Sequence, residues 1–211
     1  MIRLLFLVPY PELKEKVDYV LRNYSGKEKV EADIRVWTVE EIPSVPADEY
    51  DAMIARGYTA KKMEESYPSV PTIDMPVSGY DIVRALDECQ EKYHPKKIVI
   101  CGFFGKLYEA KDICRMFGMK AEIYSPSDYL ELNEMMKEKK IRNCDVLVGG
   151  YSATISAKKQ GIPSVLVKTG EDTILQAVNE AVRTVVKIRQ ERLAARCTGP
   201  SSIHPKKEYF M

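Results

Sequence analysis

The 211-residue sequence predicts an α/β fold of two small doubly wound lobes, each built on a parallel sheet. Three observations predict it. Apolar, β-branched runs alternate with amphipathic segments along almost the whole chain, the pattern of strand–helix–strand units. Most of these runs are continuously apolar, as expected where helices cover both faces of a sheet. A closed barrel of eight strand–helix units needs about 250 residues, and the stretch 39–49, with Pro43 and Pro46, offers no helix to supply one of them.

Strands are predicted at residues 3–8, 33–38, 52–55, 72–75, 97–101, 121–124, 146–148 and 164–167, with amphipathic segments beginning near Glu12, Thr59, Asp81, Tyr108, Ser127 and Ser152. Local chemistry marks several boundaries. Ser78 with Asp81 three residues later has the form of a capping box, Asp replacing the usual Glu. Ser125-Pro126 reads as a cap followed by proline at the first helical position. Gly118 sits where a helix C-terminal glycine belongs, and His94-Pro95 stops the helix that begins near Asp81. The chain is expected to cross between lobes near residues 76–79 and again near 168–171. Lobe 1 is then residues 1–76, completed by a C-terminal helix over 171–196, and lobe 2 is 77–170. Residues 197–211, with Gly199, Pro200, Ser201, Ser202 and Pro205, read as a disordered tail. In the last helix Ile174, Val178, Ala181, Val185 and Ile188 form an apolar stripe, widened by Leu175, Val182 and Val186, that should pack on the sheet. Beyond Ile188 the pattern turns polar, so the helix should project from the body, where it offers a possible homodimer contact.

Composition narrows the function classes. A net charge of +1 gives no general attraction to nucleic acid or membrane. The basic runs at 137–142 and 187–196 are interrupted by acids and read as solvated helix faces. Five scattered cysteines with no C-x-x-C pair argue against a disulfide framework or a zinc site and for a reducing, cytoplasmic setting. The apolar N-terminus is too short for a signal peptide and runs into Pro9-Tyr10-Pro11. No run approaches the roughly 18 apolar residues of a membrane helix.

The chemistry concentrates where strands feed helices. Arg56-Gly57-Tyr58-Thr59 and Ser78-Gly79-Tyr80-Asp81 each close an apolar strand and open a helix. Such junctions present free N–H groups and the positive end of a helix dipole, suited to carboxylate or phosphate, and Arg56 adds a two-pronged donor. Gly149-Gly150-Tyr151-Ser152 has the same form, although Ser152 also suits a plain helix cap. Gly102-Phe-Phe-Gly105-Lys106 lacks the glycine spacing and the Ser or Thr of a phosphate loop. It is plausible as a tight turn with a lysine near the cleft. Catalytic groupings are thin. His94 and His204 are not placed as bases, and Asp74 and Asp145 suit either the cleft or a turn. Cys101 on an apolar strand is more often a small core residue than a nucleophile. No His, Cys, Asp or Glu cluster has metal-ligand spacing. The expectation is a small-anion sensor, with no catalytic residue, metal or cofactor.

V-P-Y-P-E-L at 8–13, A-R-G-Y-T-A at 55–60, V-S-G-Y-D-I at 77–82, V-G-G-Y-S-A-T-I-S-A at 148–157 and E-D-T-I-L-Q-A-V-N-E-A at 171–181 together resemble one family. It is the N-terminal sensory domain of propionate catabolism activators, sigma-54-dependent transcription regulators. The likeness runs in order over about residues 2–195. It implies two flavodoxin-like lobes arranged as in periplasmic binding proteins, with a carboxylate effector of the 2-methylcitrate kind between them. Carried over, the ligand contacts are Arg56, Gly57 and Thr59, with Ser78 and Asp81 at the hinge side. Tyr10, Lys106, Tyr151 and Ser152 are added because they end strands facing the same cleft. The sequence contains no G-x-x-x-x-G-K-[ST] and no helix-turn-helix pattern, and the last helix resembles a connector. The expected partners are therefore downstream ATPase and DNA-binding domains, with the chain read either as a sensory module excised from a longer protein or as a stand-alone protein that lost them, the first being preferred. The alternatives are a carboxylic-acid racemase or lyase on the same plan, using Cys101, and a pure dimerisation module.

Overall fold

The computed structural model of the chain describes residues 1–37, 44–103 and 110–197. Two four-stranded sheets organise it, every strand pair parallel. The first contains β1 (Ile2–Val8), β2 (Val30–Val36), β3 (Ala52–Ala55) and β4 (Thr72–Asp74) in the order β2-β1-β3-β4. The second contains β5 (Lys97–Cys101), β6 (Lys120–Tyr124), β7 (Val146–Gly149) and β8 (Ser164–Leu166) in the order β6-β5-β7-β8. The order is the same in both sheets, and each reverses direction beside its first strand.

Helices cover both faces of both sheets, so the central strands are apolar on either side. In β1, Ile2, Leu4, Phe6 and Val8 pack against α1 (Pro11–Arg22) and α8 (Glu171–Cys197). Leu5 and Leu7 point the other way, into a cluster with Met63 of α2 (Tyr58–Ser66). In the second sheet Ile98 and Ile100 meet α3 (Gly79–Tyr93) and α4 (Ala110–Met116). Val99, Cys101 and Leu147 meet α5 (Tyr129–Met135), α6 (Lys139–Arg142) and α7 (Tyr151–Lys159). The chain passes between the sheets twice, after β4 and after β8, and α8 returns to pack on β1, β3, β4 and α1.

Several predicted boundaries shift for identifiable reasons. β2 begins at Val30 rather than 33, because this edge strand alternates polar and apolar residues and its start carries little hydrophobic signal; the predicted end at Thr38 lies outside the described residues. Ser125 does not cap α5. Asp128 does, accepting Glu131 N–H at 2.9 Å while the Glu131 carboxylate accepts Ser127 N–H at 2.6 Å. Two carboxylates outcompete one hydroxyl for these donors. Ser152 is not the cap of α7 either. Gly150 holds that position, and Ser152 turns its hydroxyl to Tyr129 at 2.8 Å. On α8 the buried stripe is Ile174, Ala177, Val178, Ala181, Val182 and Val185, while Leu175 is 41% exposed, on the flank away from the sheet. Residues 191–196 are exposed throughout. The start predicted near Tyr108 lies outside the described residues. The capping box at Ser78 and Asp81 forms as expected, and His94 ends α3 in the left-handed region at φ 47°.

Candidate functional site

In open parallel sheets ligands collect beyond the carboxyl ends of the strands, where the strand order reverses. Here two such points face each other. Pro9 and Tyr10 follow β1, Arg56 to Thr59 follow β3, Gly102 and Phe103 follow β5, and Gly150 to Ser152 follow β7; together they line one cavity. Tyr129 closes one side, and Leu166 and Val167 beyond β8 form another wall. The cavity measures about 60 Å³, room for about two waters at ~30 Å³ each. Ordinary ligand clefts measure about 300–1,000 Å³, so the cavity as it stands is narrow.

Arg56 is the charged centre of the cavity. Its Nη1 donates to Thr169 Oγ1 in the crossover before α8. Its Nη2 is buried with no hydrogen-bond partner among the described residues. Burial depresses the guanidinium pKa, and the electrostatic pull of Tyr10, Asp81 and Asp74 opposes that. An arginine still remains charged at any ordinary pH, so the site holds a cation whose partners are incomplete.

Gly57 lets Arg56 occupy this position. It has φ 58° and ψ −123°, conformations that a side chain strains. A Cβ on it would lie 2.4 Å from the Phe103 carbonyl oxygen, so the two lobes touch backbone to backbone here. Its N–H is already taken by Asp74 Oδ1 at 2.8 Å. The open N–H groups therefore belong to the first turn of α2 beyond it, which has no side-chain cap. α1 and α7 also lack side-chain caps, and both begin at the cavity, at Tyr10 and Gly150.

Aromatic rings close the cleft. Tyr58 from the first lobe meets Phe103 and Tyr129 from the second at centroid distances of 4.9 and 4.7 Å. Tyr10 stacks on Tyr151 at 5.8 Å across the same gap. The Tyr10 hydroxyl accepts the Thr169 N–H at 3.3 Å.

Of the residues expected in the site, Tyr10, Arg56, Gly57, Thr59, Tyr151 and Ser152 line this one cavity. Lys106 lies outside the described residues. Ser78 and Asp81 stand apart from the lining. Asp81 is fully buried, and its carboxylate accepts Ser78 N–H at 3.0 Å, Gly170 N–H at 2.9 Å, Thr173 Oγ1–H at 3.2 Å and Arg84 Nη2–H at 2.5 Å. It pins the starts of α3 and α8 together, with no capacity left for a ligand. The sequence reading missed Phe103, Tyr129 and Thr169. Phe103 carried a weak signal as part of the glycine turn; the other two carried none. Cys101 is fully buried, and burial pushes its thiol up to about 12. At neutral pH only about one molecule in 10⁵ would then carry the nucleophilic thiolate. Asp145 caps a turn, accepting Lys96 and Lys97 N–H at 2.8 Å. Among the described residues no group of three or more His, Cys, Asp or Glu is arranged to hold a metal, and no helix is long and apolar enough to cross a membrane.

The family described as propionate catabolism activator matches residues 29–191. The chain belongs to this family, as the sensory domain of a transcription regulator. Among solved structures, an NtrC family transcriptional regulator from Clostridium acetobutylicum superposes with a TM-score of 0.72 at 20% identity, covering 89% of this chain and 98% of the other. That likeness shows the fold. A maleate isomerase from Pseudomonas putida (TM-score 0.33, 11% identity, 86% and 92% covered) and a periplasmic solute-binding protein from Actinobacillus succinogenes (0.37, 8%, 89% and 92%) are more distant. No curated protein sequence matches the chain.

Proposed function

We propose that the domain senses a small carboxylate held between its lobes and passes the signal through α8 to a downstream sigma-54 activator motor. The observation that carries this reading is the buried Arg56 Nη2, without a hydrogen-bond partner among the described residues, in a cavity ringed by three uncapped helix starts. A carboxylate supplies what that geometry lacks: two acceptor oxygens for a guanidinium and for backbone N–H groups at the first turns of α2 and α7. Thr59 and Ser152 stand at those turns, with Tyr10 and Tyr151 above them. The 2-methylcitrate kind of ligand is what the family resemblance implies; carboxylate is the class the cavity supports.

The route to α8 is short. Arg56 is bonded to Thr169, and Lys16 Nζ donates to the Thr169 carbonyl at 3.0 Å, so a ligand on Arg56 acts beside the crossover that leads into α8. Such a ligand shifts the balance of lobe arrangements only by its differential affinity for them.

Thermal unfolding with a panel of mono-, di- and tricarboxylates tests the reading. At about a hundred times its dissociation constant a ligand adds roughly 2.7 kcal/mol, a rise of about 5–10 °C in a domain of this size. Arg56→Gln should fold normally and lose the rise. Full ligand-induced stabilisation in that variant would rule the site out.

A further inference from the structure

Resting on the carboxylate-sensor reading, we infer that Thr169 is its positioning residue: the hydroxyl sets the Arg56 guanidinium for the effector, and the backbone carries occupancy of the cleft to the start of α8. Thr169 is buried, and all three of its polar groups are held from the first lobe. The hydroxyl accepts Arg56 Nη1–H, the N–H donates to the Tyr10 hydroxyl at 3.3 Å, and the carbonyl accepts Lys16 Nζ–H at 3.0 Å. Tyr10 and Arg56 line the cavity, and Lys16 stands further along α1. The neighbours of Thr169 on the crossover are tied to the second lobe instead. Val167 N–H donates to the Gly149 carbonyl at 2.8 Å, Lys168 Nζ lies 3.6 Å from the Glu88 carboxylate, and Gly170 N–H donates to Asp81 at 2.9 Å. Thr169 is a joint at which the crossover is fastened to the first lobe.

A guanidinium is a rigid planar fork, so fixing one of its nitrogens fixes the direction of the others. The hydroxyl on Nη1 does this for the buried Nη2, which has no hydrogen-bond partner among the described residues. Fixing is needed because Asp81 and Asp74 draw the same guanidinium towards themselves. Threonine suits the task, since its β-branch restricts χ1 and keeps the hydroxyl from swinging away. Transmission follows from its place in the chain. Thr169 immediately precedes Gly170, whose carbonyl accepts the Ile174 N–H at 3.2 Å in the first turn of α8. An effector that draws on Arg56 therefore pulls on the residue that leads into this turn. Lys16 adds a third grip, so that the carbonyl moves with the first lobe as the hydroxyl and the N–H do.

The test is calorimetric titration of the full 211-residue chain with acetate, succinate, citrate and tricarballylate. The tightest of these is then carried into amide exchange at residues 170–175. The expected wild-type result is binding that slows exchange there about threefold or more. Thr169→Val should weaken binding about tenfold and abolish the slowing even at saturation, whereas Thr169→Ser restores both. A residue that merely fills space would not divide the two variants by their hydroxyl. Lys16→Met, at a half-buried helix position, should bind within about twofold of the wild type yet lose most of the slowing, and it decides the matter if Thr169→Val does not fold. Full affinity or full slowing in Thr169→Val, or full slowing in Lys16→Met, overturns the inference and leaves the carboxylate site at Arg56 standing. Silence of the wild type towards every acid overturns both.

Discussion

Two polar groups at the lobe interface, Asp81 and Arg56, are treated in opposite ways. Each stands where a strand of the first sheet hands over to a helix, Arg56 between β3 and α2 and Asp81 just after β4 at the start of α3. Asp81 is saturated by four donors from the two crossovers and the helices that follow them, whereas Arg56 has Thr169 and a buried Nη2 with no partner among the described residues. α3 and α5 are capped by their own side chains, while α1, α2 and α7, which open on the cavity, are not, and neither is α6, which lies away from it. Buried polar groups are satisfied as a rule, so an exception calls for a reason. The comparison teaches that the fold is fastened at Asp81 and left incomplete at Arg56, the gap that the proposed carboxylate would fill.

The largest effect should come from breaking the fastened side. Asp81→Ala strands the Thr173 hydroxyl and the Gly170 N–H in the interior and releases Arg84, and it should cost about 3 kcal/mol, measured by denaturant unfolding. A loss below about 1 kcal/mol would place the fastening elsewhere. Gly57→Ala comes next. It forces a strained backbone and drives a Cβ against the Phe103 carbonyl, at about 2 kcal/mol. Gly118→Ala is its control, with φ +72° but open space around it. The difference between the two variants isolates the contact between lobes, and equal losses would show that contact to be immaterial.

The smallest effect sharpens the comparison from the acid side. Burial raises the Asp74 pKa above 3.8, partly offset by the Gly57 N–H and the charge of Arg56. The folded chain therefore holds this proton more tightly than the unfolded chain, and stability falls as pH rises from about 4 through the folded pKa. Asp74→Asn, which keeps an acceptor for Gly57, removes that slope. The change is small because Asp74 is an exposed residue whose carboxylate water screens while it accepts the Gly57 N–H. Unfolding curves at pH 4 to 7 measure it, and parallel pH profiles for the two proteins would contradict it.

Legibility followed burial and sequence distance. β3 and β5 were readable to the residue because each is a short apolar run bounded by polar or turn-forming residues. β2, half exposed at the edge, blurred. The strand-to-helix junctions at Arg56 and Gly150 were legible because their chemistry is local. The role of Asp81 was misjudged because a capping box looks the same whether or not Gly170 and Thr173, 89 and 92 residues away, also reach its carboxylate.

By itself the sequence determined the parallel α/β architecture, the family and the arginine that ends β3, since hydrophobic period and turn chemistry act over a few neighbouring residues. Only the tertiary structure decided that Arg56 meets Thr169, 113 residues away, that its other nitrogen has no partner among the described residues, and that rings from both lobes meet in the same cavity. The physical reason is that satisfaction of a buried group is a property of everything packed around it, and packing joins residues whose separation along the chain carries no local signal.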